Sequence, residues 1–346
     1  MKVVSLQVSV VVLIYNGSWE RIRATLNSII MQKDIKFELI IMDDCSDAAH
    51  LDEIKEFLAN HSVTDYRLIV HKENLGIIRT CLEAAQESKT EYVRLIGQGD
   101  MLFDERTLKD SYDFMRSYNA ELIAGKAVYY RAYSNPVEIH ANYRWPQNIK
   151  AYDNPDDLRE SYLLRDDRVS GATTFYKRDL LLEYMTEAVE KGMKYVEDFM
   201  IKCMVFDKRR IYFFDRNVIY YEAGAGISTG AMDELLANKI KKIHEETGRD
   251  VFYTDDLLLK RCKNFPSEFS SRLAESINTR RALQAKRKTR QIIKKKLGIF
   301  ALPIVLMLRV LRKIKSCFQP SPKPVEFIKT DINISTEFAN LCMNQE

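Results

Sequence analysis

No stretch of the 346 residues stays apolar over the ~20 positions that a bilayer crossing needs, so a membrane-spanning transporter is not expected. Closely spaced cysteines are missing too. The six that exist (Cys45, Cys81, Cys203, Cys262, Cys317 and Cys342) are scattered and form no cluster with histidine. That spacing argues against a zinc site and against a disulfide framework, and favours a reducing compartment, the cytoplasm. No internal repeat is visible. A secretory signal is not expected either: the apolar run in "MKVVSLQVSVVVLIYNGS" has no small-residue cleavage site and passes at once into a helical pattern, so it reads as a first buried strand.

What is present is an ordinary globular composition, 46% hydrophobic and 29% charged, long enough for one large domain with an appendage or for two domains. The net charge of +4 conceals an uneven distribution. Arg281 to Lys315 holds twelve basic residues and no acid, leaving 41 basic against 49 acidic residues elsewhere. A basic segment on an acidic body suggests an anionic surface as partner. Within the same region, Leu297–Leu308 is twelve residues, apolar apart from Gly298 and interrupted by Pro303. It is too short to span, but suited to lie in an interface against anionic lipid. A buried core helix and a nucleic-acid arm are the other readings; no aromatics interleave with its charges, so membrane is favoured over nucleic acid.

The first 125 residues alternate between strand and helix periods. Val8–Ile14, Phe37–Met42, Tyr66–Val70 and Tyr92–Ile96 read as strands. Helical faces follow at Ile22/Leu26/Ile29/Ile30, Leu51/Ile54/Leu58 and Ile78/Leu82/Ala85, with a further helix over 104–118. This pattern predicts βαβ units and a mostly parallel sheet, whose ligands sit at the carboxyl ends of the strands. The residues to watch are thus Tyr15 and Asn16, the pair Asp43–Asp44, His71–Gly76 and Gly97–Asp100. From about 126 to 230 the alternation fails; strands are expected at 172–176, 211–214 and 218–221, and helices at 179–190 and 197–206. Residues 232–296 read as largely helical, three prolines (320, 322 and 324) mark a linker, and the last twenty residues read as a loosely held tail.

Three motifs carry chemistry, each with a plainer alternative. Asp43 and Asp44 follow a strand; either both begin the next helix, where acids suit its dipole, or one points into a cleft. Glu197 and Asp198 in "KYVEDFMIKCM" are dipole-favoured acids or include a general base. "YYEAGAGISTG", with glycines at 224, 226 and 230, is near a dinucleotide loop, but its third glycine is one residue late and it lies far from the first βαβ unit.

Taken in order, "VSVVVLIYN", "TLNSIIMQ", "FELIIMDDCSD", "ENLGI", "SGATTFYKRDLL" and "VEDFM" resemble glycosyltransferase family 2, an inverting family with a GT-A fold, over about residues 7–230. The resemblance implies an α/β domain at 1–230, with a nucleotide-sugar half (1–125) and an acceptor half (126–230). A helical region (231–318) with a membrane-associating segment at 281–316 follows, then a tail at 319–346. It implies a nucleotide-sugar donor, UDP favoured, gripped by Leu13, Tyr15, Asn16, Asp44, Gly76, Arg79 and Asp100. Asp198 would be the base beside Glu197, and the acceptor a glycan or lipid-linked hydroxyl at the inner face of the cell membrane. Where the family shows Asp-x-Asp-Asp, this sequence has Gly97-Gln98-Gly99-Asp100. Mg²⁺ or Mn²⁺ would then depend on Asp100 alone, with the diphosphate supplying further oxygens, and a basic residue such as Arg79 or Arg168 could share the diphosphate's charge. The rival readings are a catalytically degenerate nucleotide-sugar binder and a nicotinamide-dependent oxidoreductase.

Overall fold

The computed structural model describes residues 6–131, 137–142, 146–222, 234–297 and 335–344. Four parallel strands, β1 (Val8–Ile14), β2 (Phe37–Asp43), β3 (Tyr66–Val70) and β4 (Tyr92–Gly97), stand in the order β3-β2-β1-β4. Their near-continuous β-branched runs suit strands covered on both faces, and Val8, Val10, Val11 and Val12 are fully buried. Helices α1 (Trp19–Ile30), α2 (Leu51–Asn60) and α3 (Ile77–Glu87) make the crossovers. Their apolar stripes lie where the periodicity puts them: Ile22, Leu26, Ile29, Ile54, Leu58 and Ile78 are all at most 1% exposed. The pairings Ile14↔Asp43, Asp43↔Val70 and Leu13↔Gly97 bring all four strand ends to one rim.

Beyond β4 the sheet becomes mixed. The short β5 (Met101–Leu102) precedes α4 (Thr107–Tyr118), β6 (Leu122–Arg131) and β7 (Glu138–Asn142). After α5 (Pro155–Arg159), β8 (Thr174–Lys177) runs antiparallel to β4 and to β6. Then follow α6 (Arg178–Lys191), α7 (Met200–Phe206) and β9 (Ile211–Glu222), which lies parallel to β6 and antiparallel to β5. The ten-residue β6 was not expected, because glycine and lysine interrupt its apolar pattern. The two strands expected at 211–214 and 218–221 are one, β9, continuous through a shift of register against β6. Glu197 and Asp198 stand in a 3-10 turn that leads into α7, so the α-helix begins three residues after the start expected at 197.

Residues 234–297 are helical as expected, in α8 (Glu234–Asn264) and α9 (Glu268–Leu297). The chain divides into two compact units, one drawn from Met1–Leu258 and Lys329–Glu346, the other from Leu259–Ile328. The chain end differs from a loose tail. Helix α10 (Glu337–Asn344) buries Ala339 and Cys342 completely and receives Asn27 Nδ2 on the Cys342 carbonyl at 2.8 Å. Its apolar pairs Phe338/Cys342 and Ala339/Met343 are four apart, a helical signature that eight residues are too few to advertise. The glycines at 224–230, the segment 298–318 and the prolines at 320–324 lie outside the described residues.

Candidate active site

At the rim, the two adjacent aspartates divide as extended backbone requires. Asp43 closes its own turn, accepting the Ser46 backbone N–H at 2.9 Å and the Ser46 hydroxyl at 2.5 Å. Ser46 Oγ in turn accepts the Asn16 N–H at 2.8 Å, and Asn16 Oδ1 accepts the Asp47 N–H at 2.8 Å, so the β1–α1 and β2–α2 loops are stitched together. Asn16 adopts φ 49°, a left-handed conformation that asparagine tolerates better than most residues. Asp44 reaches the other way, to the loop before α3. It accepts the Leu75 N–H at 2.8 Å, the Gly76 N–H at 2.9 Å, and stands 2.9 Å from His71 Nδ1. Gly76 has no alternative: its φ is 83°, and a Cβ there would press on the Lys194 carbonyl at 2.9 Å.

The Gly97–Asp100 edge is woven into the same rim. Gln98 donates its backbone N–H to the Leu13 carbonyl at 3.1 Å. Its side-chain amide accepts the Tyr15 N–H at 3.1 Å and donates to the Tyr15 carbonyl at 2.7 Å, so a side chain extends the β1–β4 ladder. A Cβ on Gly17 would collide with that amide, and one on Gly99 (φ 89°) would collide with Glu222. Beside Gly99, Arg21 Nε donates to Glu222 Oε2 at 2.6 Å, and the Tyr130 hydroxyl donates to the Gly99 carbonyl. Asp100 Oδ1 accepts the Glu222 N–H at 3.2 Å, and its Oδ2 receives no hydrogen bond among the described residues. Burial pushes the Asp100 carboxyl up to about 7, against the pull of the Glu222 N–H, Arg94 and Arg21. Arg94 is wholly buried in β4 and donates to the Thr174 and Ala172 carbonyls, both at 2.6 Å. Burial lowers it to about 10, an effect that Asp100 opposes.

The acid pair meets this framework at Gly171. A Cβ at that position would approach Asp198 Cβ at 2.9 Å and Glu197 Oε1 at 3.0 Å, so the segment can pass only as glycine. Arg168 and Lys202 lie over the Phe199 ring, at 5.0 and 4.9 Å from its centroid, and both favour the charged form of Asp198. Burial nevertheless raises Asp198, and burial followed by the Asp198 charge pushes Glu197 up to about 8. Two neighbouring carboxyls in low dielectric do not both ionise. Arg168 and Lys202 favour the pair's charge on Asp198.

Two short routes connect pair and rim. The Lys194 carbonyl accepts the Ile78 N–H at 3.2 Å at the head of α3, three residues from Glu197 and two from Gly76. The other route runs from Asp100 to Arg94, to the Ala172 and Thr174 carbonyls, and so to Gly171. Tyr195 lies between: burial and then Glu246 push its phenol up to about 12, with Tyr15 and Asp44 adding to the shift. Arg79, in the first turn of α3, is exposed and forms no ion pair among the described residues.

Residues 9–184, more than half of the chain, match the family described as glycosyl transferase family 2. The chain belongs to glycosyl transferase family 2. A curated relative, the poly(ribitol-phosphate) beta-N-acetylglucosaminyltransferase TarP of Staphylococcus aureus (strain N315), is 32% identical over 124 residues, 35% of this chain and 36% of that protein, so the match spans well under half of the relative's length. Among solved structures, S. aureus TarS in complex with UDP is similar at 17% identity and a TM-score of 0.48, over 86% of this chain and 77% of that one. TarS in complex with UDP-GlcNAc gives 18% and 0.46, over 75% and 73%.

The family 2 match ends before Glu197 and Asp198, so their place rests on the geometry above. The parallel half followed by a mixed half and C-terminal helices is the GT-A type expected from the sequence. Arg21, Arg94 and Glu222 were not singled out from the sequence as members of the site, and Gln98 was marked only as part of the Gly97–Asp100 edge. Only Arg94 left a signal there, as a lone cation inside a strand whose other members are apolar; the rest act through pairings across 77 to 201 residues of chain. For the metal that the family implies, the donor chemistry of Asp100 allows a single-carboxylate site. Its Oδ2 is not engaged by a donor, while no group of three or more potential ligands exists among the described residues.

The raised Glu197 has a consequence for stability. The folded chain keeps a proton that the unfolded chain, with a carboxyl near 4.5, releases. The contribution is therefore full below about 4.5 and lost as pH rises through about 8. Glu197→Gln should flatten the decline of the thermal midpoint between those limits. A melting series across pH ~5 to ~9 checks it, and an unaltered slope would place the retained proton elsewhere.

Proposed function

We propose that this chain is an inverting sugar transferase that moves a sugar from a nucleotide diphosphate to an acceptor hydroxyl. The observation that carries the proposal is the Glu197–Asp198 pair packed against Gly171, with Arg168 and Lys202 favouring the charged form of Asp198, and tied through Lys194 to the rim of a parallel sheet. The donor's nucleoside would sit at Leu13, Tyr15, Asn16, Asp44 and Gly76, with Arg79 and Asp100 toward its diphosphate. Asp198 takes the acceptor's proton as its oxygen forms the new bond to the anomeric carbon and the carbon–diphosphate bond breaks on the opposite face. Arg168 and Lys202 favour the charged form of Asp198 until that proton arrives. Mg²⁺ or Mn²⁺ held at Asp100 would neutralise the diphosphate as it leaves.

The likeness to TarP favours N-acetylglucosamine as the sugar and a poly(ribitol phosphate)-like polymer as acceptor; UDP stays the carrier favoured on the family resemblance. The test is release of nucleoside diphosphate from UDP-, GDP- and CMP-sugars, with and without Mn²⁺ and that polymer. Polymer-dependent release from UDP-N-acetylglucosamine is expected. Nucleotide binding without release would leave a silent binder, and binding of NAD(P) alone would replace the reading with a dehydrogenase.

For Asp100→Asn we expect the ion concentration giving half-maximal rate to rise about tenfold or more; an intact metal response would move the ion to another ligand. No helix among the described residues is long and apolar enough to cross a membrane. Docking through the basic segment 281–316 is part of the proposal. Deleting 286–346 would remove α10 along with that segment, so replacing Lys294, Lys295 and Lys296 by Glu is the cleaner probe. The variant should pellet several-fold less with phosphatidylglycerol vesicles; equal pelleting would place the docking surface elsewhere.

A further inference from the structure

Asp250 lies on α8, more than fifty residues beyond the acid pair, and only 1% of it is exposed. Its carboxylate accepts backbone N–H groups from the loop that leads into Glu197: the Lys194 N–H at 3.1 and 3.0 Å to its two oxygens, and the Tyr195 N–H at 2.6 Å. Burial raises its carboxyl, while the N–H groups of Tyr195, Lys194 and Val196 favour its charge. Glu246, one helical turn earlier on the same face, lies near enough to the Tyr195 phenol to raise it, so α8 meets both the main chain and the side chain of that loop. The loop's other contacts are those of the site itself: the Lys194 carbonyl accepts the Ile78 N–H at the head of α3 and crowds Gly76.

A buried charge satisfied by consecutive main-chain donors fixes two peptide units at once, because any shift of the loop strands donors and carboxylate together. The unit fixed here ends two residues before Glu197. We propose that Asp250 is a positioning residue that sets the height of the Glu197–Asp198 turn relative to the α3 rim, and so the reach of the Asp198 carboxylate to the acceptor oxygen. This rests on the reading of Asp198 as the base. A plain fold anchor would affect stability and leave the chemical step alone. A positioning residue acts on kcat through Asp198, since misplacing a reacting group by about 1 Å costs on the order of 10²-fold.

The experiment measures kcat, donor KM and thermal midpoint for Asp250→Asn, Asp198→Asn and the double variant, using the full chain. Asp250→Asn keeps the shape but turns an NH₂ group toward backbone donors. It is expected to lower kcat by about 30-fold or more, with donor KM within about threefold, and the double variant is expected to be no slower than Asp198→Asn alone. Unchanged kcat, a loss confined to donor KM, or multiplicative losses in the double variant would each overturn the proposal. If Asp198→Asn itself turns over normally, the base reading fails; a slow Asp250→Asn beside it would then mean that Asp250 acts on something else, which also overturns the proposal. Hydrogen exchange of the unsubstituted protein covers the case in which Asp250→Asn does not fold. Peptides spanning 193–198 should exchange slowly, like α3, and exchange at the rate of an open loop would show that no anchor exists.

Discussion

Asp198→Asn is expected to lose about 10²- to 10⁴-fold in turnover while donor affinity stays within about threefold. The amide replaces the carboxylate in size, so the close passage of Gly171, where an added Cβ would lie 2.9 Å from Asp198 Cβ, is not disturbed. What disappears is the lone pair that accepts the proton. The change also removes the smaller of the two causes that raise Glu197, so its carboxyl falls somewhat while burial, the larger cause, still holds it up. Some residual turnover with a Glu197 pH dependence is therefore compatible with the scheme. Single-turnover transfer and donor titration on the same preparation make the measurement, and full activity would remove Asp198 from the role.

Arg94→Met should have the second largest effect, on the fold before the chemistry. The side chain is wholly buried, and its two guanidinium donors hold the Ala172 and Thr174 carbonyls. Methionine fills much of the volume but leaves both carbonyls unpaired and removes a cation from beside Asp100. Taking one partner from a buried charged cluster costs about 3–5 kcal/mol, which for a domain of this size lowers the thermal midpoint by about 10 °C. The carboxyl of Asp100 should rise further, since burial remains and one opposing charge is gone. Calorimetry tests the first part. A midpoint within about 2 °C of the unsubstituted protein would mean that the two carbonyls find water or other donors.

The parallel half of the sheet was legible because its signals are local. Val8–Ile14 and Phe37–Asp43 show nearly unbroken apolar runs, and Ile22, Leu26 and Ile29 return at helical spacing, so neighbours in sequence reveal the element. The mixed half was only partly legible. In β6 the run is broken by Gly125 and Lys126; Gly125 is crowded by Val218 of β9, a reason for glycine that lies some ninety residues away. The same holds for the site. "DDCSD" and "VED" announced acids at element ends, but nothing nearby says that Asp44 would reach Leu75 and Gly76, or that Gln98 would clasp Tyr15.

The sequence alone determined the βαβ start, the common rim of its strand ends and the residues that line it, because periodicity and strand direction are properties of consecutive residues. It also supplied the family, through the order of its motifs. The tertiary structure decided the surroundings of the acid pair, since burial raises both carboxyls and folding brings Arg168 and Lys202 to Asp198, where they favour its charge. It also decided that Asp250 holds the loop leading to them, a pairing across 55 residues that no spacing rule contains.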